Sequence, residues 1–186
     1  MDMIDHNVYL CVKNLTMKRI FTVLFLISAL LIISCSGGKV ENELKVMTIN
    51  IRSDNPSDSI NVWDSRAGII TSLLKDQLPD VIGMQEVMAH QYNYLDSFLT
   101  DFGSVGVGNI DGSKGGEMNP VFYRKDRFDL VRTITFWLSE TPYAEGSISW
   151  GSDSPHTVTW IELADKNTHK HIYCFNTRFD DKSDSS

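Results

Sequence analysis

The sequence predicts an α+β sandwich, with helices packed outside two stacked sheets. Two strand-then-helix units occupy residues 44–99, and short strands with polar turns follow from there on. That order of elements is the one expected of sheets with segregated helices. The composition permits such a core: 42% of the 186 residues are hydrophobic, 22% are charged and three are Cys. This is too apolar for disorder and too poor in cysteine for a disulfide scaffold. With 17 basic and 24 acidic residues the formal net charge is -7. Charge therefore does not favour nucleic acid as a partner, nor an anionic membrane surface, although a local site with a metal could supply one.

The chain opens with a segment that is not fold. Lys18 and Arg19 precede an uncharged run at 20–33, rich in Leu, Ile, Phe and Val. Its length suits the hydrophobic region of a signal peptide and falls short of the roughly 20 residues that span a bilayer. The run closes on Ser34-Cys35-Ser36-Gly37-Gly38. Small residues around a cysteine there resemble a bacterial lipobox, which implies diacylation of Cys35, a lipid anchor and a place in the bacterial cell envelope outside the cytoplasm. A plain signal peptide, or an anchor helix with an incidental cysteine, is the alternative. Met17-Lys18-Arg19 makes an ordinary opening for such a peptide, whereas 1–16 carries Asp2 and Asp5 without a basic cluster and reads as an over-long start. The expected organisation is a signal peptide at 1–34, a lipidated cysteine and polar tether at 35–43, and a domain at 44–186. Removing 1–34 leaves 152 residues, with Cys35 and Cys174 the remaining cysteines.

Residues 44–52 (LKVMTINIR) are apolar on both faces and are expected as a mid-sheet strand. A polar loop at 53–59 follows, where Asp58 or Ser59 can cap the next helix. That helix carries Ile60, Trp63, Ala67, Ile70 and Leu74 as one apolar stripe, and 77–80 (QLPD) breaks it. Residues 81–87 (VIGMQEV) form a second buried strand with Gln85 and Glu86 at its C-terminal end. A shorter helix at about 88–99 sets Tyr92, Leu95 and Leu99 on one face. Next come a short strand at 103–108, a Gly-, Asp- and Lys-rich loop through Glu117, and an expected hairpin of 120–123 with 128–138 turned at 124–127. A polar loop at 141–155 leads to a second pair, 157–163 with 171–175, turned at 165–168. No internal repeat or second domain boundary stands out.

Asn50 and Glu86 interrupt apolar strands. Burying either without a partner is costly. Consecutive strand-helix units bring the C-terminal ends of their strands together, where open sheets commonly place ligands. A carboxylate and an amide meeting there suit Mg²⁺, with Mn²⁺ as a substitute, since Mg²⁺ takes one or two carboxylates plus water and substrate phosphate. Alternatively, Glu86 caps the following helix and Asn50 pairs with backbone.

The strings TINIR (48–52), VWDSR (62–66), PDVIGMQEV (79–87), GGEMNPVFYRKDRFDL (115–130), FWLSETP (136–142), TVTWIEL (157–163) and FNTRFDD (175–181) together resemble the endonuclease/exonuclease/phosphatase superfamily, with the pancreatic deoxyribonuclease-like fold. None is decisive alone; their order along the chain is what makes the match specific. The resemblance implies the N-terminal portion of a four-layer α/β/β/α sandwich and a Mg²⁺-dependent phosphoesterase acting on a phosphate ester of unspecified identity. It implies Glu86 as the metal carboxylate, Asn50 as support for metal or phosphate, and Asn176 against the phosphoryl oxygens. An in-line attack by an Asp-activated water would complete the reaction.

Two residues depart from the pattern. Arg178 stands where the superfamily has His; it can bind phosphate bidentately but cannot shuttle a proton near neutrality. His156 stands where relatives tend to carry Arg, and reads either as a substrate contact or as a loop residue. Glu117 either reaches the site or is a solvated loop charge. Trp63 and Arg66 are expected to be structural, Tyr123 to belong to the core, and Cys174 to act as a small buried hydrophobe. The Gly-Asp-x-Asn and Ser-Asp-His motifs that activate water in the superfamily do not occur in the sequence. The expectation is therefore a C-terminally shortened chain with negligible hydrolysis, an exposed strand edge and an uncovered sheet face. A non-catalytic surface lipoprotein with a binding role is the alternative. A carbohydrate-handling protein has only Trp63, Trp137, Trp150 and Trp160 behind it.

Overall fold

The computed structural model describes residues 43–180, and within them both strand-then-helix units form. The segment at 1–34, Cys35, the tether up to residue 42 and residues 181–186 lie outside the described residues. Strand β1 (Val46–Asn50) leads through a 3-10 helix (Pro56–Asn61) to α1 (Trp63–Gln77). Strand β2 (Val81–Gln85) leads through the two-residue β3 (Val87–Met88) to α2 (Ala89–Phe98). β1 and β2 run parallel with Val46 opposite Val81 and Asn50 opposite Gln85. This register ends both strands at the same level.

Two local expectations need correction here. Among the described residues β1 is an edge strand, not a central one, and Val46 is 59% exposed. By strand alternation Met47 and Ile49 turn to the helix-side core, while Val46, Thr48 and Asn50 point to the other face and are exposed. The start of α1 is served by neither Asp58 nor Ser59. Asp54 Oδ1 accepts from Trp63 N at 2.7 Å, while Asp58 pairs with Arg52. The stripe on α1 accordingly begins at Trp63, and Ile60 is exposed.

The remaining strands are β4 (Phe102–Val105), β5 (Glu117–Met118), β6 (Val121–Arg124), β7 (Phe128–Trp137), β8 (Thr157–Asp165) and β9 (His171–Thr177). The first sheet has the order β1-β2-β6-β4, the second β7-β8-β9, and β3 pairs with β5. The pair β8–β9 forms as expected, with Asp165 Oδ1 accepting from Asn167 N and Thr168 N in the turn. The expected hairpin of 120–123 with 128–138 does not form. β6 stays in the first sheet and β7 departs to the second, so residues 124–127 are a crossing between sheets. Arg127 holds that crossing. Its guanidinium donates to Asp80 Oδ2 at 2.6 Å, to Glu43 O at 2.8 Å and to Asp165 Oδ2 at 3.2 Å. Two apolar runs around a polar turn read alike whether the strands pair or part.

Side-chain alternation on β2 separates two cores. Ile82 and Met84 face the helices with Trp63, Ala67, Leu74, Leu95 and Phe122. Val81 faces the other sheet with Val121, Tyr123, Phe128, Ile161 and Leu163. The described residues thus stack helices on sheet on sheet, an α+β sandwich. The outer face of the second sheet leaves Tyr173 and Phe175 exposed beside Trp160. Among the described residues no helix is long and apolar enough to cross a membrane.

Candidate active site

The ends of β1 and β2 both turn through left-handed backbone, at Arg52 (φ 62°) and Glu86 (φ 59°). Non-glycine residues adopt this conformation at a cost, and such sites gather where function demands a direction of approach. The turn at Glu86 divides the expected 81–87 strand. Beyond it β3 pairs with β5, Met88 opposite Glu117, which carries Glu117 toward the same end. β9 supplies Asn176, and Arg178 follows just past its end.

The carboxylate of Glu86 is held on both oxygens. Oε1 accepts from Asn50 Nδ2 at 2.7 Å and faces Arg178 Nε at 3.1 Å, and Oε2 accepts from Ser53 N at 3.3 Å. Asn50 Oδ1 accepts from Arg52 N at 2.8 Å, which fixes the amide with its NH₂ toward Glu86. Arg178 Nη1 reaches Glu117 Oε2 at 3.4 Å. Asn50, Glu86, Glu117 and Arg178 therefore meet, and the Arg178 fork bridges the two carboxylates. Glu86 does not cap α2, because its oxygens are turned to Asn50, Ser53 and Arg178; Gln91 Oε1 separately takes the Met88 N–H at 2.8 Å. Asn50 pairs with backbone and with Glu86 at once.

The other two residues singled out sit beside this cluster rather than in it. Asn176 is buried below it; its Nδ2 donates to Met84 O at 2.7 Å and Pro120 O at 2.8 Å, and its Oδ1 accepts from Gln85 Nε2 at 2.6 Å. Both amide hydrogens are thus engaged, and a phosphoryl contact requires one of these bonds to break. His156 is buried, not a surface loop residue. Its Nδ1 lies 3.2 Å from Arg178 O, and its Nε2 lies 3.4 Å from Ser154 Oγ and 3.8 Å from Asp180 Oδ2.

No family model matches the chain. It is 38% identical to an endonuclease/exonuclease/phosphatase of Bacteroides vulgatus with a TM-score of 0.75, covering 76% of this chain and 54% of that one. The chain belongs to the endonuclease/exonuclease/phosphatase superfamily. It is also similar to a mannosyl-6-phosphatase of Bacteroides thetaiotaomicron, at 33% identity and a TM-score of 0.73, over 77% of this chain and 54% of that one. A protein of Acanthamoeba polyphaga mimivirus is 25% identical over 146 residues, 74% of this chain and 54% of its own length. The chain spans about half the length of these superfamily members and relatives.

Other residues around the candidate site are placed by contacts that the sequence shows only in part. Gln85 lies on the inter-sheet face of β2, where a polar side chain requires partners; it donates to Asn176 and to Thr48 Oγ1. Ser53 contributes only its backbone N–H, which sequence cannot reveal. Arg66 secures the loop above the site through Ile51 O, Asn61 O at 2.6 Å and Arg52 O at 3.2 Å. Trp63 packs edge-on against Tyr94, and Tyr123 lies between the sheets. Burial pushes the Cys174 thiol up, out of the reactive range.

The donor set suits a hydrated divalent cation rather than a protein-enclosed one. Among the described residues no group of three or more His, Cys, Asp or Glu converges as a metal cage. Glu86, oriented by Asn50 and joined by Glu117 through Arg178, offers the one or two carboxylates that Mg²⁺ takes when water and phosphate fill its other positions.

Proposed function

We propose that this chain supplies the metal- and phosphate-binding groups of a Mg²⁺-dependent phosphoesterase, with Mn²⁺ as an effective substitute. The observation behind this reading is the carboxylate of Glu86, presented on strained backbone and oriented by Asn50 and the Ser53 N–H. When bound, the cation supplies charge neutralisation at a phosphoryl oxygen. Glu86 would hold it, and Glu117 would complete or tune the acidic side. Arg178 would take two phosphoryl oxygens in its fork. The similarity to a mannosyl-6-phosphatase favours phosphomonoesters, sugar phosphates among them.

Proton transfer is the weak point. Arg178 cannot donate or accept a proton near neutrality, and the His156 ring points to Arg178 O, Ser154 and Asp180. We therefore read the chain by itself as binding phosphate esters with hydrolysis at background. Lipidation at Cys35, with retention at the cell envelope, belongs to the same proposal.

Titration of the full chain with Mn²⁺, followed by electron paramagnetic resonance, tests the reading. One Glu86-dependent site is expected, lost in Glu86→Gln, with mannose 6-phosphate binding weakened in Arg178→Gln. Mn²⁺ binding that survives Glu86→Gln, or ester hydrolysis that survives EDTA, overturns it.

A further inference from the structure

We propose that Arg178 is a built-in cation occupying the metal side of the site, so that a divalent cation and a phosphate group load together rather than singly. The proposal rests on the reading of Glu86 as the metal carboxylate and concerns how that site fills. The guanidinium places Nε 3.1 Å from Glu86 Oε1 and Nη1 3.4 Å from Glu117 Oε2. It neutralises two carboxylates that would otherwise repel each other across the end of β2 and β5. A divalent cation on Glu86 would face this positive charge at close range, in a site where the Glu86 side chain is only 17% exposed and solvent screening is reduced. Either the cation stays out or the guanidinium leaves.

The structure gives the guanidinium a means to leave. Its side chain is 34% exposed, so the fork can turn outward into solvent. The backbone beneath it is anchored, because Arg178 O is held at 3.2 Å by the buried His156 ring. The movement asked of Arg178 is a turn of its side chain. A phosphate group offers two oxygens in the geometry that a guanidinium prefers and competes for the fork with the carboxylates. Phosphate binding would draw Arg178 away from Glu86 and open the carboxylate to the cation, while the cation would release Arg178 to phosphate. Coupling of this kind is reciprocal by linkage. A neutral imidazole at position 178 would provide no such competition.

The test measures Mn²⁺ affinity on the full chain by electron paramagnetic resonance, with and without inorganic phosphate, for wild type, Arg178→Gln, Arg178→Lys and Glu86→Gln. In wild type, phosphate is expected to tighten Mn²⁺ binding at least tenfold. Arg178→Gln should bind Mn²⁺ at least tenfold more tightly than wild type without phosphate, and phosphate should then tighten binding less than it does in wild type. Arg178→Lys, which keeps the charge, should retain the weak phosphate-free affinity. Glu86-dependent Mn²⁺ binding that Arg178→Gln leaves unchanged or weakens overturns the proposal and leaves the metal site standing. Wild-type binding indifferent to phosphate overturns it equally, even if Arg178→Gln fails to fold. Mn²⁺ binding that does not depend on Glu86 removes the metal site and the proposal together.

Discussion

Gln85 donates to Asn176 across the two sheets at 2.6 Å, one residue before the carboxylate that organises the site. The bond makes the floor of the site part of the packing between sheets. Asn176 is tied at three points, to Gln85, Met84 O and Pro120 O. Gly83 leaves the space for it, since a Cβ there would lie 2.9 Å from Asn176 Oδ1.

Asn176→Ala should therefore destabilise the fold by about 1–3 kcal/mol: it takes away the Nδ2 donor to Met84 O, whereas Pro120 O keeps its bond from Met84 N and the Gln85 amide keeps Thr48 Oγ1. Gly83→Ala should cost about 1–3 kcal/mol in wild type through overpacking, and clearly less in the Asn176→Ala background. Urea denaturation of the two single variants and the double variant measures the coupling. Additive losses would mean that the two residues do not share one space.

Arg127 is the corresponding tie at the other end of the sheets. It is buried between Asp80 and Asp165, both themselves buried, where residues 124–127 cross from β6 to β7. Removing the cation leaves two carboxylates without their common partner, so Arg127→Met should cost about 3–5 kcal/mol. The companion variant Asp126→Asn, on an exposed side chain paired with Arg124, should cost under about 1 kcal/mol. Thermal melts of both decide whether the crossing or the general charge pattern is at stake.

How much of this was legible depends on the range of the interaction. β2, β8, β9, α1 and α2 were readable because apolar period and turn residues are local signals. Asn50 and Glu86 were readable as polar intrusions at the ends of apolar strands. The parting of β6 from β7 was not, since it rests on Arg127 meeting Asp80 and Asp165, which lie 47 and 38 residues away. The edge position of β1 was hidden for a similar reason: apolar composition does not say how many neighbours a strand has. Glu117 was ambiguous because only the two-residue pairing of β3 with β5 lifts it from the Gly-rich loop to the site.

The outer face of the second sheet carries a pH-sensitive contact. His171 Nδ1 at 2.6 Å and then Arg132 Nε at 2.7 Å from the Glu162 carboxylate hold its pKa below the usual range, against the opposing effect of burial. A depressed carboxylate stabilises the fold fully above its ordinary unfolded value, about 4.3. That contribution is lost as pH falls through the lower folded value. Urea midpoints measured between pH 7 and pH 3 should fall more steeply for wild type than for Glu162→Gln at the acid end. Parallel profiles would show that Glu162 does not contribute.

The backbone at Glu86 separates stability from function. With φ at 59°, any residue with a Cβ bears a cost there that glycine does not. Both Glu86→Gly and Glu86→Ala remove the carboxylate and its bonds to Asn50, Ser53 and Arg178, so both should abolish Mn²⁺ binding. They differ in the backbone alone. Glu86→Gly should therefore be the more stable of the two by about 1 kcal/mol, the strain relief outweighing the extra freedom of glycine in the unfolded chain. Urea denaturation of the pair measures the difference. Equal stability would mean that the end of β2 relaxes out of the left-handed region once its carboxylate is gone, and that the bonds to Asn50 and Ser53, rather than the chain itself, hold the turn.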